Sequence, residues 1–165
     1  HSKGWRGINI DINPTSIDLF NIARPKDVNL CTTISETKKS FDVYYDDPFS
    51  PINTIDKKFY ENLKNKFFKD RKKTTVESKT FKKILEIKNI DKNIDFINID
   101  VEGMDDEILK NIDLNQLKPK LISIETHDVD GSKYKNFESI VKLMKAGSFS
   151  IYKRVGPTTL FNFVS

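Results

Sequence analysis

Two hydrophobic periods alternate along this chain. Apolar side chains recur at every second position at Ile8, Ile10 and Ile12, and Asn13-Pro14 closes the run, which predicts a strand. The next segment carries Ile17, Phe20 and Ile22 near helical spacing and must end at Pro25, so a helix follows. Residues 28–34, VNLCTTI, read as a second strand, parallel to the first through a right-handed crossover. Phe41, Val43 and Tyr45 alternate in a short extended segment, and Asp46-Asp47-Pro48 with Pro51 predicts a loop. Phe59, Leu63 and Phe67 place an amphipathic helix over 56–70, while the run from Lys69 to Lys73 contains no apolar residue and reads as a loop.

Beyond it, Val76 begins a short extended piece and Thr80 caps a helix whose stripe is Phe81, Ile84, Leu85 and Ile87. Phe96, Ile97 and Ile99 form a brief apolar run, read as a strand buried on both faces. It stops at acids and Gly103, after which Met104, Ile108 and Ile112 recur at helical spacing. Residues 121–125, LISIE, predict another strand, with Thr126-His127-Asp128 at its tip. A helix over 134–146 presents Phe137, Ile140, Val141 and Met144 on one face and stops at Gly147. Two alternating runs at 149–152 and 159–163, joined through Val155-Gly156-Pro157, close the chain as an antiparallel hairpin. Strands interleaved with helices define an α/β fold, and 165 residues suit a single domain spanning 1–165.

Composition narrows the function classes. One cysteine, Cys31, rules out an internal disulfide framework and points to a reducing, cytoplasmic setting. No apolar run approaches the roughly 20 residues needed to span a bilayer. The net charge of +4 comes from lysines spread along the chain and balanced locally by acids, without a basic stripe interleaved with aromatics, so no nucleic-acid function is assigned.

Candidate chemistry gathers at strand ends. In an open α/β sheet, polar residues just past the carboxyl end of a strand face the ligand crevice. Asp11 stands at such a tip, where nucleotide-binding α/β proteins place an acid to accept hydrogen bonds from both ribose hydroxyls. Two neighbouring strands deliver Asp100, Glu102, Glu125, His127 and Asp128 to one sheet edge. A histidine among carboxylates suits proton transfer near neutral pH, although a loop-capping role explains it equally simply. The same groups could ligate a divalent metal, but their spacing fits no zinc pattern and no metal is assigned.

Assembled, the chain resembles the FkbM family of methyltransferases. The likeness rests on GWRGINIDINP at 4–14, ARPKDVNLCTTIS at 23–35, IDFINIDVEGMDDEIL at 94–109, LKPKLISIETHD at 117–128 and GPTTLF at 156–161. It implies a Rossmann-like class I methyltransferase sheet, mostly parallel, with a C-terminal antiparallel hairpin, and S-adenosylmethionine as cofactor. It further implies that Asp11 binds the cofactor ribose, Ile12 and Asn13 flank the adenine, and Ile34 with Ser35 closes the other side. Asp100 would lie near the methionine end, and Glu102 and His127 would face the acceptor. Such enzymes methylate hydroxyls of sugars in glycans or secondary metabolites, so the partner implied is a small-molecule or glycan acceptor, with His127 or Asp100 as the base.

One departure stands out. Families of this kind open with a strand and a glycine-rich loop, roughly D-x-G-A-x-x-G, that receives the methionine portion, and no such motif occurs here. With strands spaced about 4.8 Å apart, its absence would leave a gap of about 10 Å between the Ile8 and Phe96 strands. The expectation is therefore a piece of a longer chain that binds cofactor poorly by itself. A dinucleotide-dependent oxidoreductase also places an acid after its second strand, and a non-catalytic Rossmann-like binding module would account for the missing loop.

Overall fold

A computed structural model describes residues 3–45, 47, 53–55, 57, 60–61, 72–87, 93–101, 104–128 and 131–164. The chain divides into two compact units, His1–Lys79 and Thr80–Ser165, taken here in turn.

In the first unit, β1 (Ile8–Asp11) leads through α1 (Pro14–Ala23) to β2 (Val28–Cys31), and the two strands pair in parallel, Ile8 opposite Val28 and Asp11 opposite Cys31. Asn13 starts the helix: its side chain accepts from the Thr15 N–H, and Pro14 occupies the first turn, where its missing N–H costs nothing. The predicted strand 28–34 is interrupted at Thr32 and resumes as β3 (Thr33–Ile34) with a different partner. The Val28 and Thr32 N–H groups donate to the carbonyls of Gly7 and Asp11, whereas the Ser35 N–H donates to Lys79. Successive N–H groups of a strand point to opposite edges. One extended segment thus joins β1 on one side to β5 (Lys72–Lys79) on the other, and β5 pairs antiparallel with β4 (Ser40–Tyr45).

Two further expectations change in this unit. Lys72 and Lys73 belong to β5 rather than a loop, because pairing with Tyr45 and Tyr44 supplies the order their own side chains do not, and Lys73 meets Asp42 at 2.9 Å. Ile22 of α1 is 80% exposed, so of the predicted stripe only Ile17 is fully buried. Of the predicted helix over 56–70, Lys57, Tyr60 and Glu61 are helical and the remainder lies outside the described residues, as do Phe49 and Lys69 to Arg71. Tyr60 is buried and stacked on Tyr44, with ring centroids 5.4 Å apart, and Val43, Val76 and Ile34 are also buried in this unit.

The second unit opens with α2 (Phe81–Glu86), capped as expected by Thr80, whose hydroxyl accepts from the Lys83 N–H at 3.1 Å. β6 (Phe96–Ile99) and β7 (Leu121–Glu125) pair in parallel, with α3 (Asp105–Lys110) and α4 (Leu114–Leu117) between them in sequence. After α5 (Phe137–Ala146), β8 (Phe149–Val155) and β9 (Thr158–Phe163) form the predicted hairpin. β9 inserts antiparallel between β7 and β8, giving the strand order β6-β7-β9-β8. Gly156 turns the hairpin at φ +58°, a left-handed conformation that favours glycine. At the end of α5, a Cβ on Gly147 would lie 3.0 Å from that of Leu114, so this glycine permits a close approach.

Ile122, Ile124, Ile140, Met144 and Phe161 are sealed at the centre of this unit. Phe96, however, is 41% exposed and Asn98 is exposed, so the expectation of a strand buried on both faces is wrong: among the described residues β6 has only β7 as a partner and its other edge is open. Among the described residues the hydrogen-bonded strands form several small sheets, β1-β2 and β3-β5-β4 in the first unit and β6-β7-β9-β8 in the second.

Candidate active site

Asp11 ends β1 where the backbone must leave the sheet. Its Oδ1 accepts the Asn13 N–H at 2.8 Å, and Asn13 Oδ1 in turn accepts the Thr15 N–H at 2.9 Å. These two local bonds lock the strand-to-helix turn and aim the carboxylate. Asn13 is buried, and Ile12 is half-buried, with its carbonyl facing the Cys31 thiol at 3.7 Å. Partial burial pushes the Cys31 thiol up from its ordinary value, and the charges of Asp11 and Asp18 push it further. Both effects favour the protonated thiol.

Ile34 is buried at the end of β3, while the Ser35 hydroxyl is committed to the turn that follows, accepting from the N–H groups of Thr37 at 3.3 Å and Lys38 at 3.0 Å. Asp11, Ile12, Asn13, Ile34 and Ser35 all belong to one unit, and they surround the ends of the two adjacent segments β1 and β2–β3. A cofactor nucleoside needs an acceptor for two ribose hydroxyls and apolar surface for a ring. Asp11 retains Oδ2 and further lone pairs on Oδ1, and Ile12 and Ile34 supply apolar side chains. The donor set therefore fits the nucleoside end of S-adenosylmethionine.

In the second unit, Asp100 follows β6 and is exposed. Glu102 lies outside the described residues, together with Gly103. The turn that carries Asp100 is held by Asp105, which is fully buried and accepts the Val101 N–H at 3.4 Å. Asp105 escaped the sequence reading because an acid in the first turn of a helix normally faces solvent.

His127 follows β7 and is only 5% exposed. Its backbone N–H donates to the Pro157 carbonyl at 3.1 Å, tying the β7 tip to the hairpin turn. Its ring stands edge-on to Phe137, centroids 5.2 Å apart, and its Nδ1 lies 2.7 Å from the Thr126 hydroxyl. The Thr126 hydroxyl is in turn 2.6 Å from that of Thr159 on β9. The imidazole is thus fixed by side chains rather than by capping a loop. Burial lowers its pKa below the ordinary value, and the charges of Arg154 and Lys133 lower it further, so the ring is neutral at pH 7.

Thr159 went unnoticed in the sequence, yet a signal exists. Period two carries Ile122 and Ile124 into the core and extends one step further to Thr126, just as it carries Phe161 back to Thr159. Ile99 stands opposite Ile124 at the ends of the paired strands, so Asp100, one residue past β6, and Glu125, the last residue of β7, leave the same edge, and His127 follows two residues on. Among the described residues no three His, Cys, Asp or Glu side chains gather in a cluster able to hold a metal. Among the same residues no helix is long and apolar enough to cross a membrane.

The family model for the methyltransferase FkbM domain matches residues 1–151. No curated protein and no solved structure matches the chain.

Proposed function

The chain belongs to the FkbM methyltransferase family, and from that premise we propose that it O-methylates a sugar hydroxyl of a glycan or secondary metabolite, with S-adenosylmethionine as methyl donor. What carries this reading is the neutral, firmly held imidazole of His127 beyond the carboxyl ends of the paired strands that also present Asp100. A hydroxyl is a poor nucleophile until its proton has somewhere to go, and these side chains are the groups able to receive or direct it. Asp11, aimed by the Asn13 N–H, accepts the ribose hydroxyls, and Ile12, Asn13 and Ile34 pack about the adenine.

When bound, S-adenosylmethionine supplies an electrophilic methyl on a positively charged sulfur that leaves readily. The protein's task is then alignment, exclusion of water and removal of one proton. His127 or Asp100 takes the proton of the acceptor hydroxyl, a contribution of about 10²–10⁴-fold. The family resemblance implies that Glu102 faces the acceptor as well.

In the complete protein, His127→Ala separates the roles. It is expected to lower turnover by about 10²-fold or more while leaving cofactor affinity nearly unchanged, as measured by methyl transfer from labelled S-adenosylmethionine and by equilibrium dialysis. Unchanged turnover would remove His127 from the acceptor site.

A further inference from the structure

Three buried atoms form a chain whose protons can be counted. The Thr159 and Thr126 hydroxyl oxygens are 2.6 Å apart, and the Thr126 oxygen is 2.7 Å from His127 Nδ1. Thr126 is fully buried and Thr159 is 2% exposed. Each hydroxyl has one proton to place, and among the described residues Thr159 has no side-chain hydrogen-bond partner except Thr126.

Three arrangements of a neutral ring satisfy both distances. In two of them Nδ1–H donates to Thr126: either Thr126 donates on to Thr159 and the Thr159 proton is left buried without an acceptor, or Thr126 accepts from Thr159 as well and its own proton is left so. In the third, Thr159 donates to Thr126, Thr126 donates to the Nδ1 lone pair, and the ring proton sits on Nε2. Only the third uses every hydroxyl proton. An unmet buried donor disfavours each of the others by about 5- to 150-fold.

Resting on the reading that His127 faces the acceptor, we propose that Thr126, its hydroxyl steadied by Thr159, is a positioning residue that holds the His127 proton on Nε2, so that His127 orients the acceptor as a hydrogen-bond donor and Asp100 is the base. The acceptor oxygen's lone pair forms the bond to the methyl carbon, the carbon–sulfur pair leaves on sulfur, and the hydroxyl proton passes to an Asp100 carboxylate oxygen. The charged groups about the ring agree with a neutral donor. Arg154 on β8 and Lys133 on the loop after β7 both oppose a second ring proton, and Glu125 and Asp128 flank His127 in sequence.

The sequence contains two histidines, so the ring signals of His127 in the ¹⁵N-histidine-labelled full chain are identified by their loss in His127→Gln. At a pH where the ring is neutral, a long-range ¹H–¹⁵N spectrum is expected to show the proton on Nε2 and a hydrogen-bonded imine at Nδ1. Thr126→Val should move Nδ1 to the position of a free imine, Thr126→Ser should restore it, and Thr159→Val should keep the proton on Nε2. A ring proton on Nδ1, or one that changes nitrogen in Thr159→Val, would overturn the hydroxyl chain. For the donor role, His127→Gln presents an amide N–H but cannot take up a proton, and it is expected to turn over at least about 10-fold faster than His127→Ala. Equal rates for the two variants would overturn the donor role. No methyl transfer by the complete, unaltered protein would defeat the O-methylation reading itself, while the spectrum, taken without any acceptor, still decides where the ring proton sits.

Discussion

Replacing Asp11 by asparagine isolates the ribose role from the structural one. The carboxylate does two jobs: Oδ1 accepts the Asn13 N–H at 2.8 Å and so builds the turn, and its remaining lone pairs are open to a ligand. Asparagine keeps one carbonyl oxygen, which the Asn13 N–H will retain, and turns the other position into an NH2 donor. A ribose hydroxyl then meets a donor where it met a charged acceptor. Hydrogen bonds to charged groups contribute about 1.5–3 kcal/mol, so losing one should weaken S-adenosylmethionine binding by about 10- to 150-fold. Because the turn survives, stability should change by less than about 0.5 kcal/mol. Equilibrium dialysis against tritiated S-adenosylmethionine, with urea melts of both proteins, measures the two effects separately. A dissociation constant within about threefold of the unaltered protein's would refute the assignment of Asp11 to the ribose. Equal losses of affinity and stability would mean that the turn alone was being read.

The remaining expectations concern stability. Phe161 is 1% exposed on β9, directly opposite Ile122, so Phe161→Ala should cost about 3–5 kcal/mol in urea unfolding; a cost below about 1 kcal/mol would deny that this strand lies at the centre of the unit. His127 has a folded pKa below its ordinary 6.5, held there by burial and then by Arg154 and Lys133. As pH falls through that ordinary value the unfolded chain takes up a proton before the folded one does, so stability should drop until the folded pKa is reached. His127→Gln should flatten this slope, and an unchanged slope would place its origin elsewhere.

The sequence carried some of this architecture openly and hid the rest for identifiable reasons. Asn13-Pro14 announces the end of β1 and the start of α1, since a capping side chain and a proline in the first turn are local devices. Thr80 and the Gly156 turn are legible in the same way. The break at Thr32 is not, because the segment 28–34 is uniformly β-rich and the change of partner from β1 to β5 is a tertiary event. Nor does Lys72-Lys73 signal a strand, when the order there comes from Tyr44 and Tyr45 across the hairpin. Phe96 is apolar yet exposed, because burial depends on how many neighbours β6 has and not on the side chain alone.

The candidate site divides along the same line. Asp11, Asp100 and His127 were visible as polar residues at strand tips, a rule that needs only the element boundaries. Their partners were not. Thr159 is 33 residues from Thr126, and Asp105 is sealed in a position where solvent exposure is the rule. The Ser35 hydroxyl accepts two N–H groups of the turn and so shapes the loop, a local role that its place after a strand does not announce.

Methyl transfer is the most direct test of the account. Incubating the protein with S-adenosylmethionine tritiated in the methyl group and a panel of glycans and sugar-bearing metabolites, then locating the label by mass spectrometry, should give a methyl ether on a sugar oxygen and no label without the enzyme. Label appearing on nitrogen or carbon, or on no acceptor while cofactor binds, would contradict it.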